Sequence, residues 1–335
     1  MSSSAAIYRY VHLSDLHFCT QPWRVNALLK RDLHKALDTF DKSQAPQNEW
    51  NSIVRPASFI PEIASGVARF CYWLNRKFDG IIVSGDLATT GRGVDLAVAK
   101  TFITTPPTFG PYVRYNEPTI CGTTPAKNIH LIPGNHDRYR DDFATPGSQT
   151  FGLMFEVPHM RKRDGDIGYW VKIKNNRKLA FVYADFALRR VNHVSDTLKG
   201  PYGQGIAYSD ILKNLKAKTQ ELQAEGVPVI WVIHFAPYEC DPDLQLANFK
   251  TVTDAAVSLG VLCTLCGHTH LQRHVVIDGH PVFCAGSACC VDSKTNCRLH
   301  LITIKIDDAG PRVSRRNFRW SWDRDAFVEI DPDDD

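Results

Sequence analysis

The chain has 335 residues, 44% of them apolar and 22% charged, with 39 Lys and Arg against 36 Asp and Glu. That length and apolar share suffice for one large buried core. A formal net charge of +3 is too mild to make a polyanion an obligate partner, though it suits a small anionic substrate. No stretch approaches the roughly 18 uninterrupted apolar residues of a membrane-spanning helix. The N-terminus MSSSAAIYRYVHLSD lacks the basic segment and apolar core of a secretory signal. With ten cysteines and no such signal, reduced thiols in a cytoplasmic protein are expected.

Along the chain, Tyr8 to Leu13 reads as a short buried strand ending at Ser14-Asp15. The spacing of Val25, Leu28, Leu29, Leu33 and Leu37 predicts a helix over 23–42, and a second is predicted over 60–76, opened by Pro61. Gly80 to Ser84 is an apolar strand running into Gly85-Asp86. Residues 94–103 read as helical. The Pro-, Thr- and Gly-rich stretch 104–127 reads as an irregular insertion. Asn128 to Pro133 is the next strand, followed by Gly134-Asn135-His136-Asp137. Residues 138–166 are expected to be irregular, with the basic run Arg161-Lys162-Arg163 as a solvated loop. Residues 168–173 and 178–185 are expected to pair about a turn at 174–177.

Residues 207–224 predict an amphipathic helix, and Val227 to Ile233 a buried strand ending at His234. A helix near 251–259 precedes a strand from Val261 to Cys266, which ends at Gly267-His268-Thr269-His270. Residues 273–320 alternate as antiparallel strands do, and the acidic tail 331–335 is expected to be disordered. With no repeat and no linker, residues 1–330 read as one domain with insertions near 18–60 and 104–127.

The polar clusters each follow an apolar strand. Ligands of open α/β sheets gather outside the carboxyl ends of strands, so these clusters are expected to meet at one sheet edge. Their carboxylate, amide and imidazole donors suit divalent Mn, Fe, Zn, Ni or Co. No Cys is among them, which argues against a Cys-rich structural zinc site. In an extended segment residues i and i+2 share a face. On that basis Asp15 and His17 are expected to point together, as are His268 and His270.

The ordered set Asp15-x-His17, Gly85-Asp86, Gly134-Asn135-His136-Asp137, His234 and Gly267-His268-x-His270 resembles the calcineurin-like metallophosphoesterases. The segment His12-Leu13-Ser14-Asp15-Leu16-His17, and the lack of a G-D-x-x-D-R-G block, look like the small phosphodiesterase branch that includes bacterial cyclic-nucleotide phosphodiesterases. The resemblance implies an α/β fold, a four-layer α/β/β/α sandwich of the metallo-dependent phosphatase type. It implies two divalent cations. Asp15, His17 and His270 would bind one; Asn135, His234 and His268 would bind the other; Asp86 would bridge them. His136 would bind no metal and would protonate the leaving group, work suited to imidazole. Asp86, Asn135 and His136 would form the catalytic set.

Two cations about 3.5–4 Å apart can hold a bridging hydroxide for in-line attack on phosphorus. Counting two divalent ions, two carboxylates and the hydroxide leaves a charge of about +1, which favours an anionic ester and its transition state. A small phosphodiester, such as a cyclic nucleotide, is the first substrate expected, with a phosphomonoester next. A nuclease with the same metal core and a non-catalytic scaffold of the same fold are the alternatives.

Other features read more plainly. Cys263 and Cys266 form a C-x-x-C with no second pair at zinc-like spacing, and are expected to pack in the core. Asp137 reads as a structural turn or cap residue, or else as an outer contact behind the ligands, and His12 as an outer contact or structural neighbour of the first motif. No acidic residue that would orient His136 is evident.

Overall fold

The computed structural model describes residues 5–20, 59–74, 77–104, 128–138, 150–155, 167–187, 205–241, 244–291 and 296–331. Among these the helices are α1 (Pro61–Leu74), α2 (Gly93–Thr104), α3 (Asn135–Arg138), α4 (Thr150–Phe155), α5 (Ser209–Ala224) and α6 (Phe249–Ser258). The strands β1 (Ala6–Leu13), β2 (Gly80–Val83) and β3 (Ile129–Leu131) are short, apolar and parallel. Strand β1 also pairs antiparallel with β10 (Arg298–Asp307), followed by β11 (Gly310–Ser321) and β12 (Ala326–Ile330). Together they form a six-stranded sheet ordered β12-β11-β10-β1-β2-β3.

The second sheet holds β4 (Ile167–Lys174), β5 (Arg177–Ala184), β6 (Val229–Ile233), β7 (Thr264–Cys266), β8 (Gln272–Ile277) and β9 (His280–Ala285), in the order β4-β5-β6-β7-β9-β8. Strands β4 and β5 join through the two-residue turn Asn175-Asn176, both at positive φ. Positive φ at both positions is what a tight hairpin needs, and Asn tolerates it well.

The sheets pack face to face. Tyr10 of β1 meets Trp170 and Phe181 of the second sheet edge-on, with ring centroids 5.6 and 4.9 Å apart. Strands β2 and β6 are buried at every position, as expected of strands covered on both faces. Helix α1 lies against the first sheet, where Gly66 lets Trp320 of β11 approach the helix backbone. Helix α5 covers the second sheet and is pinned by Trp231 Nε1, which donates to Thr219 Oγ1 at 2.8 Å. Two apolar clusters result, one centred between the sheets and one between the second sheet and its helices. The architecture is the expected α/β/β/α sandwich.

Four expectations need correction. The polar clusters sit at the edges of two sheets, because β6 and β7 pair with β5 and β9 rather than with β1–β3. Helix α4 occupies part of the stretch expected to be irregular, and Phe151 anchors it, fully buried. Strand β7 starts later than expected, since Val261 N donates to Ala256 O at 3.0 Å and still closes α6. Strand β12 also continues the sheet past the expected limit at 320. The expectations for 23–42 and 161–163, and all but the first residue of those for 104–127 and 331–335, lie outside the described residues. No helix among the described residues is long and apolar enough to cross a membrane.

Candidate metal centre

All the sequence-nominated ligands come from segments that directly follow strands. Asp15 and His17 follow β1, Asp86 follows β2, Asn135 opens α3 after β3, His234 follows β6, and His268 and His270 follow β7. Backbone hydrogen bonds tie these loops to one another. Asp15 N donates to Gly85 O at 3.0 Å and Leu16 N to Asp86 O at 2.8 Å, while Gly267 N donates to His234 O at 2.9 Å. The two sheets are joined where His268 N donates to Asp15 Oδ2 at 3.0 Å.

In one group, His17 Nε2 faces His270 Nε2 at 3.0 Å, and Asp15 Oδ1 stands 3.4 Å from His270 Nε2 and 4.0 Å from His17 Nε2. In another, His234 Nε2 stands 3.3 Å from Asp86 Oδ2 and 3.0 Å from Asn135 Oδ1. The ligand atoms of Asp86, His234 and His268 lie within 4.8 Å of one another, and so do those of His17, Asp86 and His136. Asp86 therefore has donors from both groups around it.

These donors fit cations. Asp15 Oδ1 and His268 Nε2 are buried with no hydrogen-bond partner in the structure, a costly arrangement for polar atoms. Two opposed imidazole nitrogens can share at most one proton. A cation with bonds of about 2.1 Å sets its neighbouring ligands about 3.0–3.4 Å apart, and three of the spacings above are 3.0, 3.3 and 3.4 Å.

Backbone carbonyls orient two of the rings. His234 Nδ1 donates to Ser84 O at 2.9 Å, which directs the Nε2 lone pair at Asp86 and Asn135. Such outer contacts fix the tautomer of a metal-binding His. His136 Nδ1 donates to Thr89 O at 2.8 Å. That carbonyl is the orienting group for which the sequence offered no acidic candidate.

The local electrostatics match. Burial, with His136 beside it, lowers the pKa of His17 to about 3, and burial with His234 nearby does the same for His268. Both rings are thereby held neutral, the form that offers a lone pair. His234 is the exception: burial disfavours a charge on it, but the Asp86 carboxylate outweighs burial and lifts the ring to about 9, so a cation bound at Nε2 would have to displace a proton. Burial works against ionised Asp15, yet the His270 ring 3.4 Å from its Oδ1 and the other imidazoles around it hold its carboxyl well below the usual range. Asp86 is held down in the same way, chiefly by His234 and His136.

The convergence of i and i+2 has a different cause from the one expected. Asp15, His17, Asp86, His268 and His270 all have positive φ, between 51° and 72°. They are not extended. This region costs an ordinary residue energy, and such strain gathers at functional sites. The alternate left-handed residues curl each loop so that both side chains face the same point.

Asp137 has the structural role expected of it. Its carboxylate accepts from Leu87 N at 3.0 Å, Ala88 N at 2.9 Å and Gly134 N at 2.9 Å. Burial and the neighbouring Asp86 push its carboxyl up to about 7, against those three donors. His12 Nε2 contacts Ser84 Oγ at 2.9 Å beneath the Asp86 loop. Cys263 and Cys266 are fully buried and pack into different apolar clusters on opposite sides of the second sheet. They therefore do not act as a pair.

Gly134 packs its backbone against Asp86. A Cβ there would fall on Asp86 Oδ1 and lie 2.5 Å from Asp86 N. Gly134→Ala is expected to displace the Asp86 carboxylate, cost about 1–3 kcal/mol of stability and reduce metal uptake. Urea midpoints and elemental analysis check both effects, and unchanged metal content would contradict the close approach.

The sequence model of the calcineurin-like phosphoesterases matches residues 8–272. The chain belongs to this family. Comparison with curated proteins gives no match. A dimetal phosphatase from Danio rerio is similar at a TM-score of 0.51 and 13% identity, over 94% of this chain and 99% of that one. GAP50, the anchor in the inner membrane complex of Plasmodium, is similar at a TM-score of 0.51 and 10% identity, over 97% of this chain and 89% of that one. At such identities these likenesses speak for the fold alone. For this calcineurin-like phosphoesterase, family and clusters together support a metal-binding hydrolase acting on phosphate esters.

Proposed function

We propose that this chain hydrolyses a small phosphodiester at a dinuclear centre. In this reading Asp15, His17 and His270 hold one cation, Asn135, His234 and His268 hold the other, and Asp86 serves both. The observation that carries the proposal is the meeting of buried Asp and His donors from two sheets, with Asp86 between the two groups. Because the donors run from residue 15 to residue 270, residues 1–330 are read as one catalytic unit. Nine of the cysteines are free thiols among the described residues, which fits a reducing, cytoplasmic setting.

Bound divalent cations would supply Lewis acidity toward a phosphoryl oxygen and make a coordinated water acidic enough to ionise near neutral pH. The chain's own residues do the rest. Asp15 and Asp86 bring negative charge to the cations, and neutral His17 and His268 present lone pairs. Asn135 adds an amide oxygen without further charge. His136, held at Nδ1 by Thr89 O, keeps Nε2 to deliver a proton to the departing oxygen. The left-handed loops hold these groups in place before substrate arrives, so little reorganisation is needed.

The test is turnover by metal-stripped protein reconstituted separately with Mn, Fe, Zn, Ni and Co. Substrates are bis-p-nitrophenyl phosphate, p-nitrophenyl phosphate, cyclic nucleotides and single-stranded DNA. Diester hydrolysis that a chelator abolishes is expected. Faster monoester hydrolysis would overturn the diester assignment, preference for DNA would indicate a nuclease, and no turnover by the doubly loaded protein would indicate a scaffold.

A further inference from the structure

We infer that the buried Arg138–Asp185 pair is a positioning device for the cation group of Asn135 and His234. The inference rests on the dinuclear reading above. Arg138 is 3% exposed and Asp185 fully buried. Arg138 Nε donates to Asp185 Oδ2 at 3.0 Å, and its terminal nitrogen donates to the same oxygen. Asp185 Oδ1 accepts from Ala187 N at 3.1 Å.

The placement of the pair points to its role. Arg138 ends α3, the single turn that begins with Asn135 and carries His136. Asp185 directly follows β5, whose last residue pairs in register with Ile233 of β6 (Ala184↔Ile233). Asp185 therefore stands beside His234. Asp137 fastens α3 to the Asp86 loop of the first sheet, and Arg138 fastens it to the second sheet. Asn135 Oδ1 and His234 Nε2, 3.0 Å apart, come from these two sides. The ion pair spans the same gap that those two donors must keep.

Stability alone is a poor reason for such a pair. Replacing a buried ion pair with apolar residues of similar size is often neutral or stabilising, whereas removing one partner strands a buried charge. Outer contacts that orient metal ligands, by contrast, typically matter 10–100-fold in affinity. The pair is therefore assigned to geometry, and it acts through Asn135 and His234.

The experiment is calorimetric titration of the metal-stripped full chain with Mn(II), alongside urea unfolding. The variants are Asp185→Asn and the double change Arg138→Met with Asp185→Leu. The wild type is expected to bind two equivalents. The double variant is expected to stay folded, its urea midpoint lowered only by the lost Ala187 N contact, yet bind one equivalent about 10–100-fold more weakly, the other changing by less than about twofold. A purely structural tie would not produce that selective loss. Wild-type affinities for both equivalents in a folded double variant would overturn the inference, as would equal weakening of both. Should the double variant not fold, Asp185→Asn is read by the same two criteria. A wild-type chain that binds fewer than two equivalents would instead overturn the dinuclear reading, and this inference with it.

Discussion

Asp86→Asn is expected to lose metal and activity together. The Asp86 side chain is 1% exposed, stands 3.3 Å from His234 Nε2, and accepts from His136 N at 2.9 Å through its other oxygen. Asn has nearly the same shape, so the loop should keep its course. What changes is charge. Two divalent ions near one another repel strongly in a buried site, and the Asp86 carboxylate is the anion placed between the two donor groups. Losing it should leave fewer than two cations bound per chain. The lost stabilisation of transition-state charge, several kcal/mol, corresponds to a fall in kcat/KM of roughly a thousandfold. Elemental analysis and steady-state rates on one diester, measured on the same preparations, check this. Full metal content in the variant would remove Asp86 from its shared position.

His136→Gln should separate metal binding from turnover. The ring is close enough to His17 and Asp86 to be grouped with them, so geometry alone would allow it to be a ligand. Its Nδ1, however, is committed to Thr89 O, and the proposed role of Nε2 is to protonate the leaving oxygen. Gln can still hydrogen bond but cannot deliver a proton. Metal content should stay at the wild-type value while kcat falls about 10²–10⁴-fold, the usual worth of a general acid. The loss should depend on the leaving group. A p-nitrophenolate departs without much help, so bis-p-nitrophenyl phosphate should lose less than an ester with an alkoxide leaving group. An equal loss on both substrates, or a drop in bound metal, would make His136 a ligand or a scaffold residue instead.

The seven nominated residues stood out in the sequence because each belongs to a short motif directly after an apolar strand. A strand that carries a side chain to a sheet edge is a local feature, visible in the run Gly80–Ser84 before Gly85-Asp86 or Val227–Ile233 before His234. The hairpin at Asn175-Asn176 and the helix over Ser209–Ala224 were legible for the same reason, since turn chemistry and apolar spacing act within a few residues. Helix α4 was not, because it has only six residues and shows no repeating apolar face, and its one buried residue is decided by what packs on it. The carbonyls of Ser84 and Thr89 that orient His234 and His136 were also invisible, since every residue has a carbonyl and only the fold selects which one points inward.

By itself, then, the order of residues determined the donor types, their attachment to strand ends and the α/β class, all consequences of local alternation and side-chain chemistry. Only the tertiary structure decided that the donors come from two sheets, that Asp15, His17, Asp86, His268 and His270 reach the centre through left-handed backbone, and that Arg138 meets Asp185 across the gap. Strand partners and strained backbone are paid for by contacts far away in sequence. Such contacts exist only once the chain has closed on itself.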